Sequence, residues 1–142
     1  MIFSKERPVK IVMIGAVDNN RSRQFCHEVF MNAENLVYID SGNGEYTGQV
    51  VCGIRCRGTT YYKPVGELYP DMAQADNLFP SEVSCADASV SAPQTIVANL
   101  MAATAVVTMI YNILVVGSST VQQATFSTKT VNIRAYKKQR KG

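Results

Sequence analysis

The sequence has few residues that could build a structural metal site. Its 142 residues include one histidine, His27, and four cysteines that form no C-x-x-C pair. Structural zinc is usually held by four cysteine or histidine ligands in closely spaced pairs, so we expect no zinc. The first ten residues, MIFSKERPVK, also lack the apolar core of a signal peptide. The sequence therefore predicts free thiols and a cytoplasmic location.

Basic residues are scarce over most of the chain, although the formal net charge is +3. Five of the fourteen basic residues lie in the tail 134–142, whereas eleven acidic and nine basic residues precede Arg134. A short basic end is more typical of a solvated terminus than of a nucleic-acid interface. We expect a single domain over 1–142 that does not bind nucleic acid.

An apolar run from Val9 to Val17 is followed at once by three polar residues, Asp18, Asn19 and Asn20. The run predicts a parallel strand covered on both faces, and the polar residues predict a turn and a helix start. Ligands of parallel sheets bind beyond the carboxyl ends of the strands, where this turn lies. Asp18 is therefore a candidate site residue, and the alternative is that it only caps the helix.

The helix that follows has apolar residues at one-turn spacing, and a second apolar run comes after it. This spacing predicts a helix with an apolar face on which His27 does not lie. The predicted apolar face consists of Phe25, Val29 and Phe30. The second run, Leu36 to Ile39, begins far enough along the chain for a crossover, which predicts a parallel βαβ unit.

Two later regions are each predicted to form an antiparallel hairpin. Gly48–Cys56 and Thr59–Tyr62 flank an Arg-Gly turn, and Gly53 inside the first arm predicts a bulge. Val121–Phe126 and Thr130–Ile133 form the second predicted hairpin. Between the hairpins, residues 63–92 have three prolines and little periodicity, which indicates a long crossover loop.

The longest apolar segment, Ile96–Val116, contains no charged residue and could by length span a bilayer. Its Thr104, Thr108 and Asn112 form a polar line, and no Lys or Arg lies between Lys63 and Lys129. Because membrane helices usually carry basic or aromatic anchors, a buried core helix is favoured over a membrane anchor. The predicted fold class is α/β, a partial Rossmann-like doubly wound sheet with an antiparallel β-hairpin extension and a long buried C-terminal helix.

Three ordered motifs resemble the ThiF/MoeB/HesA family of adenylating enzymes, relatives of ubiquitin-activating enzymes. Asp18-Asn19 with Arg23 resembles the family's D-N-x-x-x-R, and Gly48-Gln49-Val50 resembles its G-Q-V. The segment from Cys85 to Pro93 resembles C-x-x-x-G-V-x-x-P before a long helix, with Ser89 in place of the glycine.

The resemblance implies an ATP-dependent adenylyltransferase that activates the C-terminal glycine of a ubiquitin-like or sulfur-carrier protein. It implies that Asp18 binds the Mg²⁺ of ATP, that Asn19 and Arg23 shape the nucleotide pocket, and that Cys85 is a nucleophile. Ordinary alternatives are a solvated helix position for Arg23 and a packing role for Cys85. Cys52 and Cys56 are interpreted as packing residues.

The chain departs from the family by lacking the glycine-rich phosphate turn, since no G-x-G-x-x-G occurs anywhere. It therefore resembles only the carboxyl-terminal half of an adenylating domain. We expect activity to require the missing nucleotide-binding half, from another chain or from a parent protein. The expected partners include a second copy of the chain, as a homo-oligomer, or a complementary N-terminal half. The competing hypothesis is a noncatalytic binding module for a ubiquitin-like partner.

Overall fold

The computed structural model describes residues 11–73, 95–117 and 121–137, which form a mixed α/β structure around a six-stranded sheet. The strands are β1 (Val12–Gly15), β2 (Leu36–Asn43), β3 (Thr47–Cys56), β4 (Thr59–Tyr62), β5 (Gln123–Ser127) and β6 (Asn132–Tyr136). The helices are α1 (Asn20–Asn32), α2 (Val65–Leu68) and α3 (Ile96–Tyr111). A 3-10 turn at Pro70–Ala73 follows α2, and a π-helical turn at Asn112–Val116 continues α3.

The described strands are mostly antiparallel, in the order β1-β2-β3-β5-β6, with β4 also pairing with β3. Only the first pairing is parallel: β1 aligns with β2 from Val12 opposite Val37 to Gly15 opposite Asp40. The predicted β1-α1-β2 crossover unit is therefore confirmed. β2 extends four residues beyond the predicted Ile39, because its end pairs with the first arm of the next hairpin.

The prediction that the first strand is covered on both faces holds only in part: Met13 packs against the core on the α1 side, but the other face is only partly covered. β1 lies at the edge of the sheet, where its described pairing partner is β2 alone. Val12 packs against the core beneath α3, but Ile14 on the same face is about half exposed. The apolar run that predicted a strand covered on both faces therefore forms an edge strand with an apolar residue open to solvent.

Both predicted hairpins are confirmed. Arg57 and Gly58 both have positive φ, 51° and 74°, which is the backbone of a two-residue turn that matches the strand twist. The predicted bulge lies just past Gly53, between Ile54 and Arg55, where the β3-β4 register shifts. Gly53 also allows close packing, because a Cβ at this position would lie 3.0 Å from the Cα of Pro64 and 3.1 Å from the Phe30 ring.

The buried face of α1 differs from the predicted apolar face. Phe30 is buried as expected, but Phe25 is 64% exposed and Val29 is also exposed. His27 packs against α2, since a Cβ on Gly66 would lie 2.6 Å from its Nδ1. The face turned to the sheet instead carries Arg23, whose burial depends on an ion pair described below.

The two central strands, β2 and β3, are buried on both faces because helices cover each face of the sheet. On one side Val37, Ile39, Val50 and Ile54 pack beneath α3. On the other side Leu36, Tyr38 and Val51 pack against Phe30 of α1 and Val65 of α2. Cys52 is a buried core residue and Cys56 is a half-buried free thiol, which agrees with the packing interpretation.

The expected long buried C-terminal helix is buried along one face only. The residues of its inner face are buried against the sheet. They are Ala98, Ala102, Ala105, Val106, Met109 and, in the π-helical turn, Ile113. Its outer face is apolar and exposed. By length and composition, Ile96–Val116 is the one helical segment among the described residues that could cross a membrane.

The predicted loop at 63–92 is partly helical where it is described. Val65–Leu68 forms a turn of α-helix and Pro70–Ala73 a 3-10 turn, both stacked beside α1. Pro64 starts the helical turn in extended geometry, which a proline at this position tolerates. The rest of this segment, including Cys85, lies outside the described residues, as does most of the basic tail.

Candidate functional site

A cavity lies where the carboxyl ends of β1 and β2 face α3. Its volume is about 350 Å³, at the small end of the range for ligand pockets. The lining residues that matter here are Ile14 and Asp18 near β1, Ser41 and Asn43 of β2, and Asn99 and Val107 of α3. This is the location at which open sheets with parallel strands bind ligands.

Asp18 stands at this cavity because β1 ends at Gly15 and the chain turns into α1 at Asn20. Asp18 is exposed and lines the cavity, so its carboxylate is available to a ligand. The helix cap is made by its neighbour: the Oδ1 of Asn19 accepts a hydrogen bond from the Ser22 amide at 2.8 Å. Asn19 therefore stabilises the first turn of α1, and that cap role does not occupy Asp18.

Arg23 lies beneath the turn, with 7% of its surface exposed. Its Nε donates to Oδ1 of Asp40 at 2.9 Å, and its Nη2 donates to the carbonyls of Val17 at 2.8 Å and Ser41 at 3.1 Å. The interpretation of Arg23 as a solvated helix residue is therefore wrong. The guanidinium joins the carboxyl ends of β1 and β2 and fixes the residue immediately before Asp18.

Asp40 receives a second donor on its other oxygen, from the hydroxyl of Tyr38 at 2.8 Å. Only 1% of Asp40 is exposed, so the carboxylate depends on these two partners for compensation. Burial raises the pKa of the Asp40 carboxyl, while Arg23 and the Tyr38 hydroxyl oppose that rise. Burial beside Asp40 also raises the pKa of Tyr38. These groups form one buried polar network on the α1 side of the sheet.

Cys26 borders the same network from α1. Burial raises the pKa of its thiol, and a hydrogen bond with Tyr38 only partly opposes the rise. A raised pKa keeps the sulfur protonated at neutral pH, which disfavours nucleophilic chemistry. Cys26 also packs against the core cluster around Phe30 and Tyr38, so we interpret it as a packing residue rather than as a second candidate for the nucleophile.

The amino-terminal end of α3 closes the cavity from above. Thr95 caps the helix, since its Oγ1 accepts from the Ala98 amide at 3.2 Å and donates to the Glu45 carbonyl at 2.8 Å. One turn further on, Asn43 donates from Nδ2 to Oδ1 of Asn99 at 2.7 Å. These bonds tie the start of α3 to the end of β2 and hold the two walls of the cavity together.

Sequence reasoning missed Asp40 and Tyr38. A usable signal was present, because Asp40 directly follows the apolar run LVYI, and a carboxylate in a buried strand needs a cation or several donors. The predicted set is only partly brought together. Asp18, Asn19 and Arg23 share one turn, whereas Cys85 lies outside the described residues.

Asp18 is the single carboxylate among the described residues that line the cavity. Among the residues that the structure describes, no three His, Cys, Asp or Glu side chains cluster as a metal cage would need. Mg²⁺ is usually held by one or two carboxylates together with the phosphates of a substrate. One exposed carboxylate, Asp18, matches that mode of binding and would not match a metal bound by protein ligands alone.

No protein-family model matches this chain, and no curated protein matches it. The function proposed below therefore rests on the residues of this chain and their geometry.

Proposed function

We propose that this chain is the carboxyl-terminal half of a ThiF-like adenylating domain and holds Mg²⁺-ATP against Asp18. The observation that carries the proposal is the exposed Asp18 carboxylate at the rim of a cavity beyond the carboxyl ends of β1 and β2. The parallel β1-α1-β2 unit followed by antiparallel strands supports a partial Rossmann-like fold. The setting we propose is cytoplasmic.

In this proposal Asp18 is the protein ligand of Mg²⁺, which would offset the charge of the ATP phosphates. The amino terminus of α1 begins two residues later, and its positive dipole end favours phosphate oxygens. Asn19 keeps that helix end in place through its cap, and Arg23 fixes the turn by binding the Val17 carbonyl. Both residues would therefore shape the pocket by positioning rather than by touching the nucleotide.

The proposed substrate is the C-terminal glycine of a ubiquitin-like or sulfur-carrier protein. Its carboxylate oxygen would attack the α-phosphorus of ATP, forming the acyl-adenylate bond as the bond to pyrophosphate breaks. The Cys85 thiolate would then attack the acyl carbon of the adenylate, forming a thioester as the bond to AMP breaks and AMP leaves. The glycine-rich phosphate turn is supplied in this proposal by a complementary half, so the isolated chain forms only part of the ATP site.

A titration of isotopically labelled chain with Mg²⁺-ATP, followed by NMR, tests the part of the site that the chain contains. We expect weak, millimolar binding that shifts the amide signals of Asp18 to Ser22 and of Asn99. These shifts should disappear in Asp18→Ala and remain in Asp71→Ala, which removes an exposed carboxylate beyond α2. Shifts that persist in Asp18→Ala, or that appear only elsewhere, contradict the proposed role.

Catalysis is tested by adding the complementary half and measuring ATP–pyrophosphate exchange. We expect exchange to require both halves and to be lost in Asp18→Ala, while the folded structure of that variant is retained. Exchange that survives Asp18→Ala would show that another group holds the metal.

One observation favours a second function, a noncatalytic binding module. β6 is exposed along all five residues and forms the other edge of the described sheet, where an extended peptide could add as a strand. In that case affinity for a ubiquitin-like protein should be the same with and without Mg²⁺-ATP and should not change in Asp18→Ala. An ATP-dependent affinity favours the adenylating function instead.

A further inference from the structure

The outer face of α3 has the surface of a helix that packs against another helix. We define the α3 seam as the residues Ile96, Leu100, Ala103, Val107, Tyr111 and Leu114. Successive members are three or four residues apart, so they form one stripe along the helix. With the exception of the small Ala103, each is at least half exposed, including Leu100 at 59% and Val107 at 63%.

The α3 seam and its flanks have few polar groups that need hydrogen bonds from water. The segment Ile96–Val116 has no charged residue. The hydroxyls of Thr104 and Thr108, beside the seam, donate to the carbonyls of Leu100 at 2.8 Å and Thr104 at 2.7 Å in the same helix. Their donors are therefore satisfied internally, which is compatible with a dry interface.

We infer that a second copy of this chain covers the α3 seam, helix against helix across a two-fold axis. Two uncharged seams meet without burying an unpaired charge or bringing like charges together. Ala103, near the middle of the helix, lets the two axes approach closely. The eight exposed apolar side chains on and beside the seam present several hundred Å² per copy, on the order of the ~800 Å² per partner of a standard interface.

A lipid surface fits the same face less well. Helices that lie on membranes usually carry Lys or Arg at the boundary of the apolar face, and none occurs between Lys63 and Lys129. A bilayer span would also take the inner face of α3 off the sheet, where Val106 and Met109 are buried in the core. A second copy requires neither change.

The test is the mass of the purified full chain in solution, measured by sedimentation velocity over a range of concentrations without detergent. We expect a dimer, and we expect Leu100→Glu and Tyr111→Glu, neither of which lines the cavity, to halve the mass to that of a folded monomer. The matched control is Phe25→Glu, which places the same charge on an exposed apolar position of α1, on the other side of the sheet. This control should remain dimeric.

Four results would overturn the inference, the last of them being recovery only with detergent or lipid. The first is a wild-type monomer at all concentrations, and the second is a dimer that persists in both seam variants. The third is loss of the folded state in the seam variants with no dimer in the wild type, which would mean that another part of this chain covers the seam. Recovery of the protein only with detergent or lipid vesicles would assign the face to a membrane. Ala103 and Val107 of the seam also line the cavity, but the mass is measured without nucleotide and the two substituted seam positions lie outside the lining, so the outcome is separate from the test of Asp18.

Discussion

The Nε of Arg23 lies 2.9 Å from Oδ1 of Asp40, and this ion pair connects the first turn of α1 to the carboxyl end of β2. Both side chains are buried, so each charge is compensated by the other and by the surrounding hydrogen bonds. The same guanidinium binds the carbonyls of Val17 and Ser41. The position of the turn that carries Asp18 therefore depends on a contact between residues seventeen positions apart.

The first prediction concerns the stability of this ion pair. Asp40→Ala leaves a buried guanidinium without its counter-charge, and Arg23→Ala leaves a buried carboxylate. Each should lower the free energy of unfolding by about 3–5 kcal/mol, because removing one partner of a buried pair strands the other. Denaturant unfolding of both single variants and the double variant checks this. The double variant should lose clearly less unfolding free energy than the two single variants lose together. Losses that simply add would contradict the coupling.

The second prediction concerns stability at alkaline pH. The folded protein raises the pKa of the Tyr38 hydroxyl above its usual 10.0, because burial and the neighbouring Asp40 disfavour a phenolate. Only the unfolded chain then loses this proton at about pH 10, so the stability contribution is complete below that pH and decreases as the pH rises above it. Tyr38→Phe should be less stable at neutral pH, because Asp40 loses a donor, but its stability should fall less steeply above pH 10. Equal slopes for the two proteins would contradict this assignment.

The third prediction separates the helix cap from the proposed metal ligand. Asn19→Ala removes the acceptor of the Ser22 amide and should cost about 0.5–2 kcal/mol of unfolding free energy. Asp18→Ala should change that free energy by less than about 0.5 kcal/mol, since Asp18 is exposed and does not make the cap bond. Thermal and denaturant unfolding of the two variants measures the difference. A larger cost for Asp18→Ala than for Asn19→Ala would assign Asp18 a structural role.

The parts of the fold that follow from short stretches of sequence could be predicted. An apolar run, three polar residues and a helical repeat were enough for β1, the turn at Asp18 and α1. The Arg57-Gly58 pair was enough for the first hairpin, because few residues other than glycine accept a positive φ. In each of these cases the residues that determine the structure are neighbours in the chain.

The parts that failed depend on contacts between distant residues. The periodicity of α1 placed Phe25 inside, whereas the buried position is taken by Arg23, because Asp40 of β2 compensates its charge. His27 turned inward because Gly66, thirty-nine positions later, leaves space for its ring. The edge position of β1 also depends on which strands pair beside it. A pattern within one helix or strand contains none of this information.

The last prediction tests how tightly β1 packs against the buried pair Asp40 and Tyr38. A Cβ on Gly15 would lie 2.6 Å from Oδ2 of Asp40 and 3.0 Å from the Tyr38 ring, and both groups are held by hydrogen bonds. Gly15→Ala should therefore displace the carboxylate and lower the free energy of unfolding by about 1–3 kcal/mol, as overpacking of a core does. Gly44→Ala is the matched control, because the nearest atom to its new Cβ is the Thr47 carbonyl oxygen at 4.0 Å. The control should change stability by less than about 0.5 kcal/mol. If the two variants unfold alike, then the close approach of β1 to Asp40 does not constrain the site, and Gly15 is not required there.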